Sequence, residues 1–214
     1  MRYEMAELSS ALGLPKRYFL TREKGEEAYW LLEGRLRQIP ERCTLIFSFP
    51  PEQVVDASFA DESLLRLGEG LVAGEFGERA ALLEGLTEDS IRNLEAIIRL
   101  RRAKLVFLLV DPEGGWRHAG PLEPSLSEAL MLMASRGKIT APELARELQL
   151  ALNTANNRLK RLHALRLLWR EHEVSEKGLK YIYHFWRWLE GSDNHGDENV
   201  SGSGEARDQE GKHG

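Results

Sequence analysis

Apolar positions recur at two different spacings, and their alternation divides the first 110 residues into helices and strands. Ala28, Leu31, Leu32 and Leu36 share one face of a helix predicted from about Thr21 to Gln38, with Thr21 as its cap. The apolar run Thr44 to Phe49 reads as a buried strand. A helix from Ser58 to about Ala73 follows, with Phe59, Leu64, Leu67 and Leu71 at helical spacing, and then a weak strand near Arg79 to Leu83. Ile91, Leu94, Ile97 and Ile98 mark a helix from about Thr87 to Arg102, which leads into a buried strand from Lys104 to Val110. A short strand at Arg17 to Leu20 and a short helix within the first fourteen residues complete this part. The alternation predicts an α/β domain over residues 1–124, a sheet covered by helices.

The stretch Asp111 to Ser125 is dense in Gly and Pro, which predicts a hairpin turn at Glu113-Gly114-Gly115, then a linker and a domain boundary near Pro124. Beyond it the pattern changes. A helix is predicted from about Ser127 to Arg136, a tight turn at Gly137, and a helix from Ala141 to Leu148 opened by the capping box Thr140-Ala141-Pro142-Glu143. A second helix, about Leu152 to Ala164, follows after a few residues in a helix-turn-helix arrangement. Strands at Leu167 to His172 and Lys180 to Phe185 flank a glycine-containing turn, so residues 125–189 read as a winged helix. Residues 190–214 contain one aliphatic residue larger than alanine, Val200, and are predicted to be disordered for want of surface to bury.

Charge sharpens this division. The chain carries a net −5, yet residues 125–189 hold 11 Lys/Arg against 6 Asp/Glu, while residues 1–124 hold 16 against 21 and the tail 2 against 7. Only the middle module has the electrostatics of a phosphate-binding surface. Within it, Leu152, Ala155, Leu159 and Leu162 project to one face of their helix, and Asn153, Asn157, Lys160 and Arg161 to the other, with Thr154 on the flank. Asn reads adenine edges and Lys or Arg read guanine or hold phosphate, so this face suits double-stranded DNA. The plainer reading is a solvated face in a protein-interaction module. Arg170, Lys177 and Lys180 in the wing suit phosphate or minor-groove contact, and equally suit ordinary hairpin charges. The five rings of residues 181–190 exceed what a solvated strand can show, so some must be covered, either as core beneath the wing or as a dimer or interdomain surface made by Phe185, Trp186 and Trp188, and the two readings are equally good.

Enzymatic chemistry finds little footing. Gly68, Gly70 and Gly74 miss dinucleotide-binding spacing, no phosphate loop is present, and the six histidines lack close metal-ligand spacing; His163 reads as a helix-surface residue. Cys43 beside Leu45, Ile46 and Phe47 reads as a buried, inert thiol. No catalytic, cofactor-binding or metal-binding residue is predicted. With no apolar run near the roughly 18 residues of a membrane span and no signal-peptide pattern, a cytoplasmic, membrane-free protein is expected.

Ser58-x-x-Asp61-Glu62 reads as a helix start in which Ser58 caps and the two acids favour the positive end. The segment DASFADESLLRL, after the strand TLIFSF, resembles the STAS-like domain (sulfate transporter and anti-sigma antagonist type) of unassigned function. The resemblance covers about residues 16–110 and rests mainly on SFADE; Ser48-Phe49 stands where such domains usually carry aspartate before phenylalanine. It implies a domain that senses or binds a regulatory protein partner, and it places on Ser58 the phosphorylation that controls related antagonists. The second module resembles the MarR/ArsR class of winged-helix regulators in general pattern. Together these lead to the expectation of a homodimeric, DNA-binding transcriptional regulator, with a partner-switching adaptor lacking DNA affinity as the alternative.

Overall fold

The structure, a computed structural model, describes residues 1–15, 17–111, 113–175 and 178–186. Lys177, Trp188 and the tail 190–214, all given roles above, lie outside the described residues. The first half runs β1 (Arg2–Glu4), α1 (Met5–Ala11), β2 (Tyr18–Phe19), α2 (Arg22–Gln38), β3 (Thr44–Ser48), β4 (Val54–Val55) and α3 (Ala57–Ala60). A π-helical segment (Asp61–Leu65) then continues into α4 (Arg66–Ala73), followed by β5 (Ala80–Glu84), α5 (Glu88–Arg101), β6 (Phe107–Val110) and β7 (Trp116–Ala119). The chain is mixed α/β, with a mainly parallel sheet covered by helices.

That sheet has the order β1-β3-β5-β6-β7, parallel except for β7. Strand order follows chain order without reversal. Right-handed crossovers that always step the same way leave their helices on one face of the sheet. Leu45, Phe47, Ala81, Leu83, Phe107 and Leu109 accordingly share a core with residues of α2, α4 and α5. A Cβ on Gly68 would stand 2.6 Å from the Phe107 ring, so this glycine lets α4 approach the sheet.

The opposite face needs another cover, because side chains alternate along each strand. Ile46, Leu82 and Leu108 stand opposite one another across β3, β5 and β6, and they belong to a second core formed with the C-terminal half. That half comprises α6 (Pro124–Arg136), β8 (Lys138–Thr140), α7 (Ala141–Glu147), α8 (Leu152–Ala164), β9 (Leu168–Ser175) and β10 (Gly178–Phe185). Its strands form an antiparallel sheet of order β8-β10-β9. Leu126, Leu130, Met133, Leu159, Leu167, Tyr183, Phe185 and Trp186 meet the sheet residues in one continuous cluster. Phe185 and Trp186 thus form an internal junction between the halves, with Trp116 5.4 Å from the Phe185 ring.

Several sequence expectations are corrected. The stretch expected to be a linker contains β7, which follows the predicted turn, where the Asp111 N–H donates to the Gly115 carbonyl at 2.9 Å. β1 and β8 were not anticipated. Cys43 is half-buried at the margin of the first core. Thr21 does cap α2, through the Lys24 N–H, and Thr87, expected only as the start of its helix, caps α5 through the Ser90 N–H. Ser58, however, is not a cap. Asp56 holds that position, its Oδ1 accepting from the Phe59 N–H at 2.6 Å, while Ser58 lies exposed inside the first turn. Asp56→Ala should therefore lower stability by about 1 kcal/mol in urea unfolding, and Ser58→Ala by a few tenths at most. Equal losses would contradict this assignment.

Candidate functional site

α7 begins where the sequence places its capping box: the Glu143 carboxylate accepts from the Thr140 N–H and hydroxyl, both at 2.7 Å. The Thr140 hydroxyl bond, the larger cause, and the N–H bond hold that carboxyl below its ordinary pKa. This fixed start orients α7 against α8. Ala155, Leu159 and Leu162 are fully buried as expected, but Leu152, assigned to the same face, is 54% exposed. It opens the helix, one turn short of the core.

The outer face of α8 presents Asn153, Thr154, Asn157 and Lys160, all exposed. None of the four has an ion-pair or side-chain hydrogen-bond partner among the described residues, so their donors and acceptors face solvent. Arg161 is different. Its guanidinium pairs with Glu123 through both nitrogens, one at 2.8 Å, and it holds the Glu123 carboxyl below its ordinary pKa. Arg158, unremarked in the sequence, is largely covered and bonds Glu128 at 2.8 Å. Acids from the start of α6 thus occupy two of the helix's cations.

The residues of the β9–β10 hairpin separate in the same way. The Arg170 guanidinium lies 4.6 Å from the centre of the Tyr181 ring, a cation–π contact that keeps it half-buried. Lys180 is exposed and stands 4.0 Å from Glu173, its cross-strand neighbour. Val174 and Leu179 also face each other across the hairpin and are 82% and 53% exposed, an apolar pair the charge pattern did not signal.

Between the halves, Arg166 makes a direct polar link. It sits in the left-handed region (φ 60°) after α8, donates from Nε to the Leu71 carbonyl of α4 at 2.8 Å, and its own carbonyl accepts from Trp186 Nε1 at 2.8 Å. His163, read as a surface residue, packs into the same junction 3.7 Å from Glu78. Burial, its first cause, and Arg170 push its pKa below the ordinary value, against the pull of Glu78.

The SFADE segment builds a second polar cluster. Asp61 was expected to serve the helix dipole, but its side chain is 3% exposed and clamped by two arginines. Arg101 donates from Nε and Nη2 at 2.9 and 2.5 Å, and Arg22 from Nη2 at 2.9 Å. The bond from Arg101 is the leading cause of a lowered Asp61 pKa. Glu62 pairs with Arg22 at the rim. Asp61 opens the π-helical segment and faces inward, where its bonds to Arg22 and Arg101 tie this segment to α2 and α5.

Among the described residues no helix is long and apolar enough to cross a membrane, and no group of three His, Cys, Asp or Glu could hold a metal ion. Comparison with protein-family models and with curated proteins found no match to the chain.

Proposed function

We propose that the protein is a DNA-binding transcriptional regulator acting in the cytoplasm. In this reading α6 to β10 form a winged helix-turn-helix module of the MarR/ArsR kind, and the first half is a STAS-like unit that senses a protein partner or joins subunits in a homodimer. The observation that carries it is the outer face of α8, where Asn153, Thr154, Asn157 and Lys160 stand exposed and uncommitted on a helix held rigidly by its buried face. Amides and an ammonium at that spacing match the donor and acceptor pattern of the major groove. Arg161 joins them once phosphate displaces Glu123, and Lys180 and Lys177 supply wing contacts. Ser58 is the exposed side chain in the first turn of α3 at which phosphorylation would add charge.

Titration against selected and random duplexes at two salt concentrations tests this reading. Lys160→Ala should weaken binding to every duplex and reduce the salt slope by about one unit, as expected for one lost phosphate contact. Asn157→Ala should cost about 1–3 kcal/mol at the preferred site and little on random DNA. A wild-type protein that binds neither duplex at low salt would favour a partner-switching adaptor, a reading supported by two exposed apolar side chains on α2, Trp30 and Leu31, the latter expected on the helix's buried face.

A further inference from the structure

A groove of about 400 Å³ lies at the C-terminal end of α5, between that helix, the lead into β6 and the chain leaving β7. Arg99, Arg102 and Lys104 line it with Glu95, Gly120 and Pro121. The three cations are exposed, and none has an ion-pair partner among the described residues. Neighbouring arginines are committed elsewhere: Arg101 clamps Asp61, and Arg92 pairs with Asp89. The groove therefore concentrates the free positive charge of a half whose overall balance is acidic.

Two features keep it open and place it. Gly120 has φ +109°, and a Cβ there would stand 2.4 Å from the Leu105 carbonyl oxygen, so the chain leaving β7 lies directly on the backbone before β6 without a side chain in the way. Three residues later Glu123 grips Arg161 on α8. Three residues span at most about 11 Å, so the groove and the flank of α8 adjoin on one side of the molecule.

We infer that this groove is a second phosphate-binding surface, which holds the backbone of a DNA duplex beyond the part engaged by α8. The inference rests on the DNA-binding reading and extends it to the first half of the chain. Arginine and lysine spaced along a helix end and the following loop meet successive phosphates as point and fork donors, independently of sequence. Glu95, the acid at the groove wall, sets a limit on affinity by opposing the phosphates.

The test is binding of the full chain to random duplexes of two lengths, measured across a salt series. A variant combining Arg99→Gln, Arg102→Gln and Lys104→Gln should lose two to three units of salt slope on a long duplex, at about 0.9 unit per phosphate contact, and bind about 10- to 100-fold more weakly at low salt. On a duplex just long enough for α8 it should match the wild type. Glu95→Gln, a nearly isosteric change at a half-buried position of the groove wall, should tighten binding to the long duplex alone and so provides a reading even if the triple variant folds poorly. Wild-type slope in the triple variant, or an equal loss on both duplex lengths, would overturn the inference while leaving α8 as the DNA-binding element. Wild-type protein that binds no duplex removes both readings together.

Discussion

A chain ending after Leu122 should fail to behave as an independent domain. It would keep the parallel sheet and the helices on one face, but expose Ile46, Ala80, Leu82, Val106, Leu108 and Val110 on the other. Re-exposing aliphatic side chains costs about 1.5–3 kcal/mol each, so the sum is on the order of 10 kcal/mol, comparable with the whole stability of a domain. The fragment is expected to associate or to bind a hydrophobic dye, and to lose sharp unfolding. In the full chain Leu82→Ala, at the middle of that face, should lower stability by about 2–5 kcal/mol and shift a single transition common to both halves. A soluble, cooperatively folding fragment, or two separate transitions in the full chain, would show that the halves have independent cores.

Asp61→Ala is the second substitution of large expected effect. Removing one member of a buried ion pair is costly when its partners are stranded, but Arg22 and Arg101 are about half exposed and can rehydrate. The loss should therefore fall at about 2–3 kcal/mol near pH 7. Its pH dependence follows from the lowered Asp61 pKa. A carboxyl that binds protons less readily when folded contributes stability above its unfolded pKa, near 3.9, and that contribution disappears as pH falls through the folded value. The wild type and the variant should thus differ most at neutral pH and converge below about pH 4. A difference that stayed constant into acid would assign the effect to packing instead of charge.

Local signals in the sequence carried some elements completely. α5 was legible because Thr87, its acidic first turn and the spacing of Ile91, Leu94 and Ile98 agree, and α8 because its apolar and polar faces separate. β1 and β8 were not legible. Each has three residues, too few to show alternation, and each exists through pairing with a distant strand, β3 or β10. Asp56 and Ser58 both have side chains able to cap, and the choice depends on the extended backbone at Asp56, which follows β4. The buried setting of Asp61 rests on arginines 39 and 40 positions away in sequence, which no local pattern announces. For α8, helical periodicity identified the outward residues but not the acids that engage Arg158 and Arg161, because Glu128 and Glu123 reach them only through the packing of α6.

The position of Arg166 has a mechanical consequence. A residue that ends α8, bonds the last turn of α4 and receives the Trp186 indole leaves no slack between the two halves. Force applied at α4 would travel to the end of α8 through the single hydrogen bond from Arg166 to Leu71, as through a rivet, while the Trp186 indole braces the same residue from within its own half. A displacement there would tilt the outer face of α8 as a rigid lever, so that Asn153, at the far end of the helix from this fulcrum, would move the most.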